Sequence, residues 1–221
     1  MDLAIARTSS IVSSVAEVAV NVHAGRALLQ PHLEACGVQV SVEENVPLGT
    51  AGAVGKLRHW IDGRAVVVMN SDAYCDADLR ALVRGWDGER VRVLVHGGGP
   101  FRAGCAVAGT LLPWSVASSL PAKTCGLFPM VWAPAAGAGL LESIPSVGTF
   151  VDCGNPASYL RANLLASGGA SVIGAVDVIG GEGRNTERVT ESVVWDGARL
   201  RSGERLHRAI RTTGGRTVLV R

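Results

Sequence analysis

The chain has 221 residues, 48% hydrophobic and 18% charged, with a net charge of +2. That length suits one good-sized domain with a small appendage, and the balance is that of a folded protein, not a disordered one. So small a charge, with scattered basic residues and few aromatics, argues against nucleic acid and anionic membranes as partners.

The N-terminal segment Asp2–Val15 reads as a helix or its remnant. It lacks the basic start and long apolar region of a signal peptide, and no stretch approaches the roughly 20 apolar residues of a membrane span. A soluble, cytoplasmic protein is expected. Residues 17–23 read as a strand, 28–36 as a helix stopped by Gly37, and 38–42 as a second strand. Residues 51–61 read as one helix, weakened by Gly52 and Gly55. The apolar run 65–70 is the strongest strand signal, expected to lie buried in a parallel sheet. Residues 77–86 read as a helix with Asp76 as N-cap and Gly88 past its end, and 91–96 as the next strand. This βαβα rhythm predicts an α/β fold: a Rossmann-like, mostly parallel sheet with helices on both faces.

The middle is less regular, with Gly97–Pro100 a turn and 105–112 a further strand. Phe150–Asp152 is a short strand ending in a turn, and a helix follows over 157–165. Ser171–Gly174 and Ser192–Ala198 have the turn-rich rhythm of a left-handed β-solenoid, with at most one or two rungs. Solenoids that stand alone need about three, so the tail is expected to lean on the main domain or mediate association. Two regions follow: an α/β domain over 1–168 and a short solenoid-like tail over 169–221.

The five cysteines are widely spaced, odd in number and include no CxxC pair, which argues against a disulfide framework or zinc knuckle. They read as reduced, mostly buried thiols, Cys75 and Cys153 included. The five histidines are isolated and show no metal-ligand spacing.

Two motifs carry chemistry. Leu48-Gly49-Thr50-Ala51-Gly52-Ala53 is a small-residue loop entering a helix, where backbone amides suit a phosphate. Asp72 ends the apolar run Ala65-Val66-Val67-Val68-Met69-Asn70-Ser71. In open α/β sheets such strand ends face the ligand cleft, and a carboxylate there suits a divalent metal. The bland readings stand beside these: Asp72 and Asp152 as turn residues, Gly49 and Gly52 as packing glycines, Lys56 and Arg58 as solvated charges or phosphate contacts.

Together with Val20-Asn21-Val22-His23 and Phe150-Val151-Asp152-Cys153-Gly154-Asn155-Pro156, these motifs resemble the sugar-1-phosphate nucleotidyltransferases, the NDP-sugar pyrophosphorylases, over most of residues 15–200. The resemblance implies transfer of a nucleotidyl group from a nucleoside triphosphate to a sugar 1-phosphate, with Mg²⁺ as cofactor. It assigns Leu48, Gly49, Thr50, Gly52 and Asn70 to the nucleotide, Asp72 and Asp152 to the metal, and Glu44 to a weaker ligand contact. It also implies departures. The family's N-terminal glycine-rich triphosphate loop and the lysine after it are not found, so a first βα unit is expected to be absent from this chain. The mid-chain Glu-Lys-Pro is not found; His96–Phe101 occupies that region. Gly154-Asn155-Pro156 stands for Gly-Thr-Pro, and Gly126–Pro129 carries proline where an acidic residue is expected. An alternative is therefore a non-catalytic homologue that binds nucleotide or nucleotide sugar and regulates a partner. A hexapeptide-repeat acyltransferase and a purely structural module are the readings from other classes. Apolar surface left open by a missing unit would favour homo-oligomers.

Overall fold

In the computed structural model, residues 1–179 and 188–221 are described. They form two compact units, the first from Met1–Ser71 and Cys75–Phe150, the second from Asp72–Tyr74 and Val151–Arg221. The expected boundary at 168/169 falls inside the second unit. The reason is packing: Leu160 buries against Val193 and Ile210 of the tail.

The first unit opens with helix α1 (Asp2–Ser9) and a 3₁₀ turn (Val15–Glu17). Strand β1 (Ala19–Val22), helix α2 (Arg26–Ala35) and strand β2 (Gln39–Val42) follow, and β1 and β2 pair in parallel. This βαβ unit buries Leu33 of α2 against Val18, Val22 and Val38, with Ile5 of α1 in the same cluster.

The helix expected over 51–61 is two pieces, α3 (Gly49–Lys56) and α4 (Arg58–Ile61), broken at Leu57. Strand β3 is only Val66–Val68; strand β4 (Ala73–Cys75), whose first two residues belong to the second unit, precedes a single helical turn, α5 (Arg80–Val83). Asp76 does not cap that turn. Its Oδ1 accepts from the Thr149 amide at 2.7 Å, and Asp78 accepts from the Arg80 amide at 3.0 Å instead. Strands β5 (Val91–His96) and β6 (Val107–Leu112), helix α6 (Trp114–Ala117), a π-helical turn (Phe128–Trp132), helix α7 (Ala133–Gly137) and strand β7 (Leu141–Ser146) complete the unit.

The main sheet has the order β3-β6-β5-β7. It is mixed, not mostly parallel: β5 pairs parallel with β7, while β6 pairs antiparallel with β3 and β5. The inner strands are β6 and β5, and Val91, Val93, Leu94 and Val95 of β5 are all buried. The run expected to be buried in a parallel sheet, β3, lies at an edge, pairs antiparallel with β6 and has half-buried side chains. Helices cover both faces. Val91 and Leu112 point into a cluster with Ala51, Val54 and Ile61 of α3 and α4. Leu94 and Leu111 point the other way, toward Leu79 and Leu82 around α5. Successive strand residues alternate faces, which is why Leu111 and Leu112 serve opposite cores.

In the second unit, strand β8 (Phe150–Asp152) leads to helix α8 (Pro156–Ala166). Asn155 caps it, its side chain accepting from the Ser158 amide at 2.9 Å, and Pro156 takes the first helical position. The tail adds β9 (Val172–Ile173), β10 (Asp177–Ile179), β11 (Val189–Thr190), β12 (Val193–Val194), β13 (Arg199–Arg201), β14 (Leu206–His207), β15 (Ala209–Arg211) and β16 (Thr217–Leu219). They stack in three parallel ladders: β9-β12-β15, β10-β13 and β11-β14. Antiparallel β16 closes one of them. Val176, Val194, Ala198, Leu200 and Leu206 fill the interior. Ser192, fully buried, donates to the Thr190 carbonyl and accepts from the Ala209 amide, so its hydroxyl leaves no polar atom unmet. Among the described residues, no helix is long and apolar enough to cross a membrane.

The tail also carries a pH-dependent tie. Burial acts to raise the Glu204 carboxyl, but the Arg201 amide and the Arg211 guanidinium outweigh it and hold the group below its ordinary value. A lowered folded-state value stabilises the fold above the ordinary carboxylate range and loses that effect as the pH falls through it. The melting temperature of the wild type should therefore exceed that of Glu204→Gln at neutral pH, and the gap should close as the pH drops below about 4. A gap that stays constant from neutral to acid would show that the carboxylate charge contributes nothing.

Candidate functional site

In the first unit, the loop that enters α3 is built on a buried carboxylate. Glu43, 3% exposed, follows β2. Its side chain accepts from Asn21 Nδ2 at 3.0 Å and from the Leu48 amide at 2.8 Å. Its carbonyl meets His23 Nδ1 at 2.7 Å. Burying a carboxylate is costly unless donors meet it, and here they come from β1 and from the far end of the loop. Sequence reasoning passed over Glu43 for its neighbour. Glu44 is exposed and only 3.7 Å from the Arg26 guanidinium.

Gly49 opens α3 with φ +68°, in the left-handed region. A β-carbon there would also meet the Cys125 carbonyl oxygen at 2.7 Å, so both backbone shape and space call for glycine. The segment 123–125 runs alongside. Cys125 donates its amide to the Leu48 carbonyl at 2.9 Å, and its carbonyl accepts from the amides of Ala51 and Gly52. With the Leu48 amide given to Glu43, three of the amides expected to face a phosphate are thus occupied. Among the described residues, the amides of Gly49 and Thr50 have no protein partner, and Gly49 is exposed.

Gly52 differs from the expectation of close ligand approach. It is buried, and a β-carbon there would collide with the Lys123 carbonyl. A β-carbon at Gly55 would likewise meet the Leu120 carbonyl oxygen at 2.6 Å. Both glycines let α3 lie directly against another stretch of backbone. Lys56 and Arg58 are taken too: the Lys56 ammonium donates to the Val42 carbonyl and the Arg58 guanidinium to that of Leu120.

Asn70 follows β3 and is exposed. In the second unit, Asp72 and Asp152 are both exposed. The Cys153 amide donates to the Asp72 carbonyl at 2.9 Å, which brings the two aspartate-bearing segments side by side. Asp152 Oδ1 accepts from the Gly154 amide at 2.9 Å, the turn role weighed for it, and its other carboxylate oxygen has no partner among the described residues. Asp72 has no side-chain partner among them either. The thiols are all free, but only Cys75 is buried; the other four are partly exposed, which corrects the expectation of mostly buried thiols.

No family model matches this sequence, and no curated protein does. Solved structures match in fold. A mannose-1-phosphate geranyltransferase of Thermus thermophilus is 13% identical, with a TM-score of 0.64 over 99% of this chain and 83% of its own. HddC of Yersinia pseudotuberculosis, solved with GMP-PN, is 15% identical with a TM-score of 0.53, over 72% of this chain and 81% of its own. A UDP-glucose pyrophosphorylase solved with UDP-glucose is 11% identical with a TM-score of 0.50, over 75% and 85%. At these identities the likeness is one of fold: the chain has the mixed α/β fold that these enzymes share.

Proposed function

We propose that this chain is a nucleotidyltransferase that joins a nucleoside triphosphate to a sugar 1-phosphate, giving an NDP-sugar and pyrophosphate. One observation carries the reading: a fold likeness spanning 99% of the chain coincides with two exposed aspartates on segments joined by the Asp72–Cys153 backbone bond. Fold alone does not set function, so the aspartates matter as much as the likeness. Neighbours in fold were solved with GMP-PN and with UDP-glucose, which supports a nucleotide as the ligand class.

In the reaction, a phosphate oxygen of the sugar phosphate attacks the α-phosphorus, and the bond to the β-phosphate oxygen breaks. Positioning and charge neutralisation supply most of such catalysis. Asp72 and Asp152 fit magnesium by donor type, since both offer exposed carboxylate oxygens to a hard cation. Magnesium, when bound, supplies positive charge against the phosphate oxygens. The partnerless amides of Gly49 and Thr50 suit a phosphate or nucleotide oxygen, with Leu48 next to them in sequence and Asn70 shortly before Asp72 as further contacts. Gly52 supports this loop by packing, and Glu43 holds its start.

The test is a thermal-shift panel with GTP, ATP, UTP, CTP and dTTP, with and without Mg²⁺, joined to a pyrophosphate-release assay with a sugar 1-phosphate. A triphosphate at about 100 times its dissociation constant stabilises the fold by about 2.7 kcal/mol. The expected result is a Mg²⁺-dependent shift for one base, lost in Asp72→Asn, with pyrophosphate released. A shift without release would make the chain a non-catalytic nucleotide binder. No shift with any triphosphate would remove Asp72 and Asp152 from the role.

A further inference from the structure

We propose that Asp2, His32 and Cys36 form a second metal site, of the kind that takes Zn²⁺, on the surface where α1 meets α2. Among the described residues they are the one group of three such side chains whose donor atoms all lie within 4.8 Å of one another. His32 and Cys36 stand four residues apart at the end of α2, so the helix itself aims both side chains the same way. Asp2 comes from the first turn of α1. That helix is fixed against α2 by Ile5, which buries with Leu33, and its Arg7 donates to the Ala77 carbonyl at 2.8 Å. The three donors are therefore presented by two anchored elements.

The donor set decides the metal class. An imidazole nitrogen, a thiol sulfur and a carboxylate oxygen suit a borderline cation, where Mg²⁺ and Ca²⁺ want oxygen alone. Zinc bonds of about 2.0–2.3 Å in tetrahedral array put ligand atoms about 3.3–3.7 Å apart. Here His32 Nε2 lies 2.7 Å from Asp2 Oδ1 and 3.8 Å from Cys36 Sγ. Small side-chain rotations would open the first distance and close the second. Binding releases the thiol proton, while His32 ligates through Nε2 as the tautomer that keeps its proton on Nδ1. Three protein ligands leave one position for water or a further ligand, and the half-exposed side chains let an ion enter directly.

A plain surface ion pair between Asp2 and His32 would be worth little and would need no thiol beside it. The experiment separates the two readings. Co²⁺ is titrated into the intact chain with its thiols reduced, as an optical probe of tetrahedral sites. The site predicts one Co²⁺ per chain, visible d–d bands and a near-ultraviolet thiolate-to-metal band, all displaced by Zn²⁺. Cys36→Ser should abolish the thiolate band, while Cys105→Ser and Cys125→Ser should leave it unchanged. Asp2→Asn, which keeps the side-chain shape, should weaken Zn²⁺ binding about tenfold or more, at least the loss typical of outer-sphere partners. A thiolate band that survives in Cys36→Ser, or no such band in the wild type, would overturn the site. None of these readouts depends on nucleotide binding or turnover.

Discussion

Replacing Arg92 with alanine should destabilise the protein by about 3 kcal/mol, the lower end for breaking a buried ion pair, since Glu142 keeps some contact with solvent. Arg92 is 6% exposed on the inner strand β5. Its Nε donates to Glu142 Oε2 at 2.7 Å, across the β5–β7 ladder where the two residues are register partners. Its other nitrogens donate to the carbonyls of Leu82, Arg84 and Gly85 at 3.2, 2.8 and 2.9 Å. Those carbonyls end the short turn α5, which has too few residues to hold itself. One planar guanidinium therefore caps a helical turn and ties it to the sheet. Alanine would leave a cavity, several unmet acceptors and a carboxylate without its partner. Lysine would keep the charge but could not reach three carbonyls and a carboxylate at once, so it should fall between. Adding Glu142→Gln to Arg92→Ala should recover part of the loss. Denaturant unfolding of the four proteins measures this directly; a loss below about 1 kcal/mol for alanine, the size of an exposed ion pair, would refute the buried role.

Gly52→Ala should cost about 3 kcal/mol, the upper end for forcing one extra methyl group into a packed interior. The added carbon would overlap the Lys123 carbonyl oxygen and press on its carbonyl carbon at 3.0 Å. Both are backbone atoms, so no side chain can swing aside. Relief requires α3 to move off the 123–125 segment. That movement would break the bonds from Ala51 and Gly52 to the Cys125 carbonyl and from Cys125 to Leu48. The proposed nucleotide loop would shift with them, so triphosphate binding should weaken alongside stability. Gly137→Ala is the control. That glycine, like Gly52, lies in a helix without positive φ, but nothing lies near its β position, so no loss should appear. Equal losses in the two variants would show that the close approach at Gly52 is immaterial.

The strands and helices that sequence alone located are those whose signal is local. Gly37 stops α2, Asn155 and Pro156 start α8, and the apolar runs of β1, β2, β5 and β6 mark strands by composition. Strand β7 went unread because Pro145 and Glu142 break its apolar pattern. It is tolerated because β7 is an edge strand, where a missing amide costs no ladder bond. Conversely, the apolar run at β3 signalled a buried strand, yet apolarity records only that a strand meets a core. Its rank in the sheet depends on partners distant in the chain, and β5 and β6 took the inner positions by pairing on both sides.

The candidate site divides the same way. Asp72, Asp152, Gly49 and Thr50 are proposed because each sits in a short motif whose residue types suit oxygen or phosphate chemistry. At Gly52 a glycine in sequence states only that a side chain is not wanted, without stating what stands in its place; in the fold the Lys123 backbone stands there. Glu43 was missed because its donors, Asn21 and Leu48, converge only in three dimensions. The His32–Cys36 pair is a local helical spacing, but Asp2 stands 30 positions before His32 and becomes its neighbour only when α1 docks on α2. Local residue chemistry settled which elements form and which side chains could bind. Long-range packing settled which of them have free donors, because burial and hydrogen-bond partners belong to the folded chain.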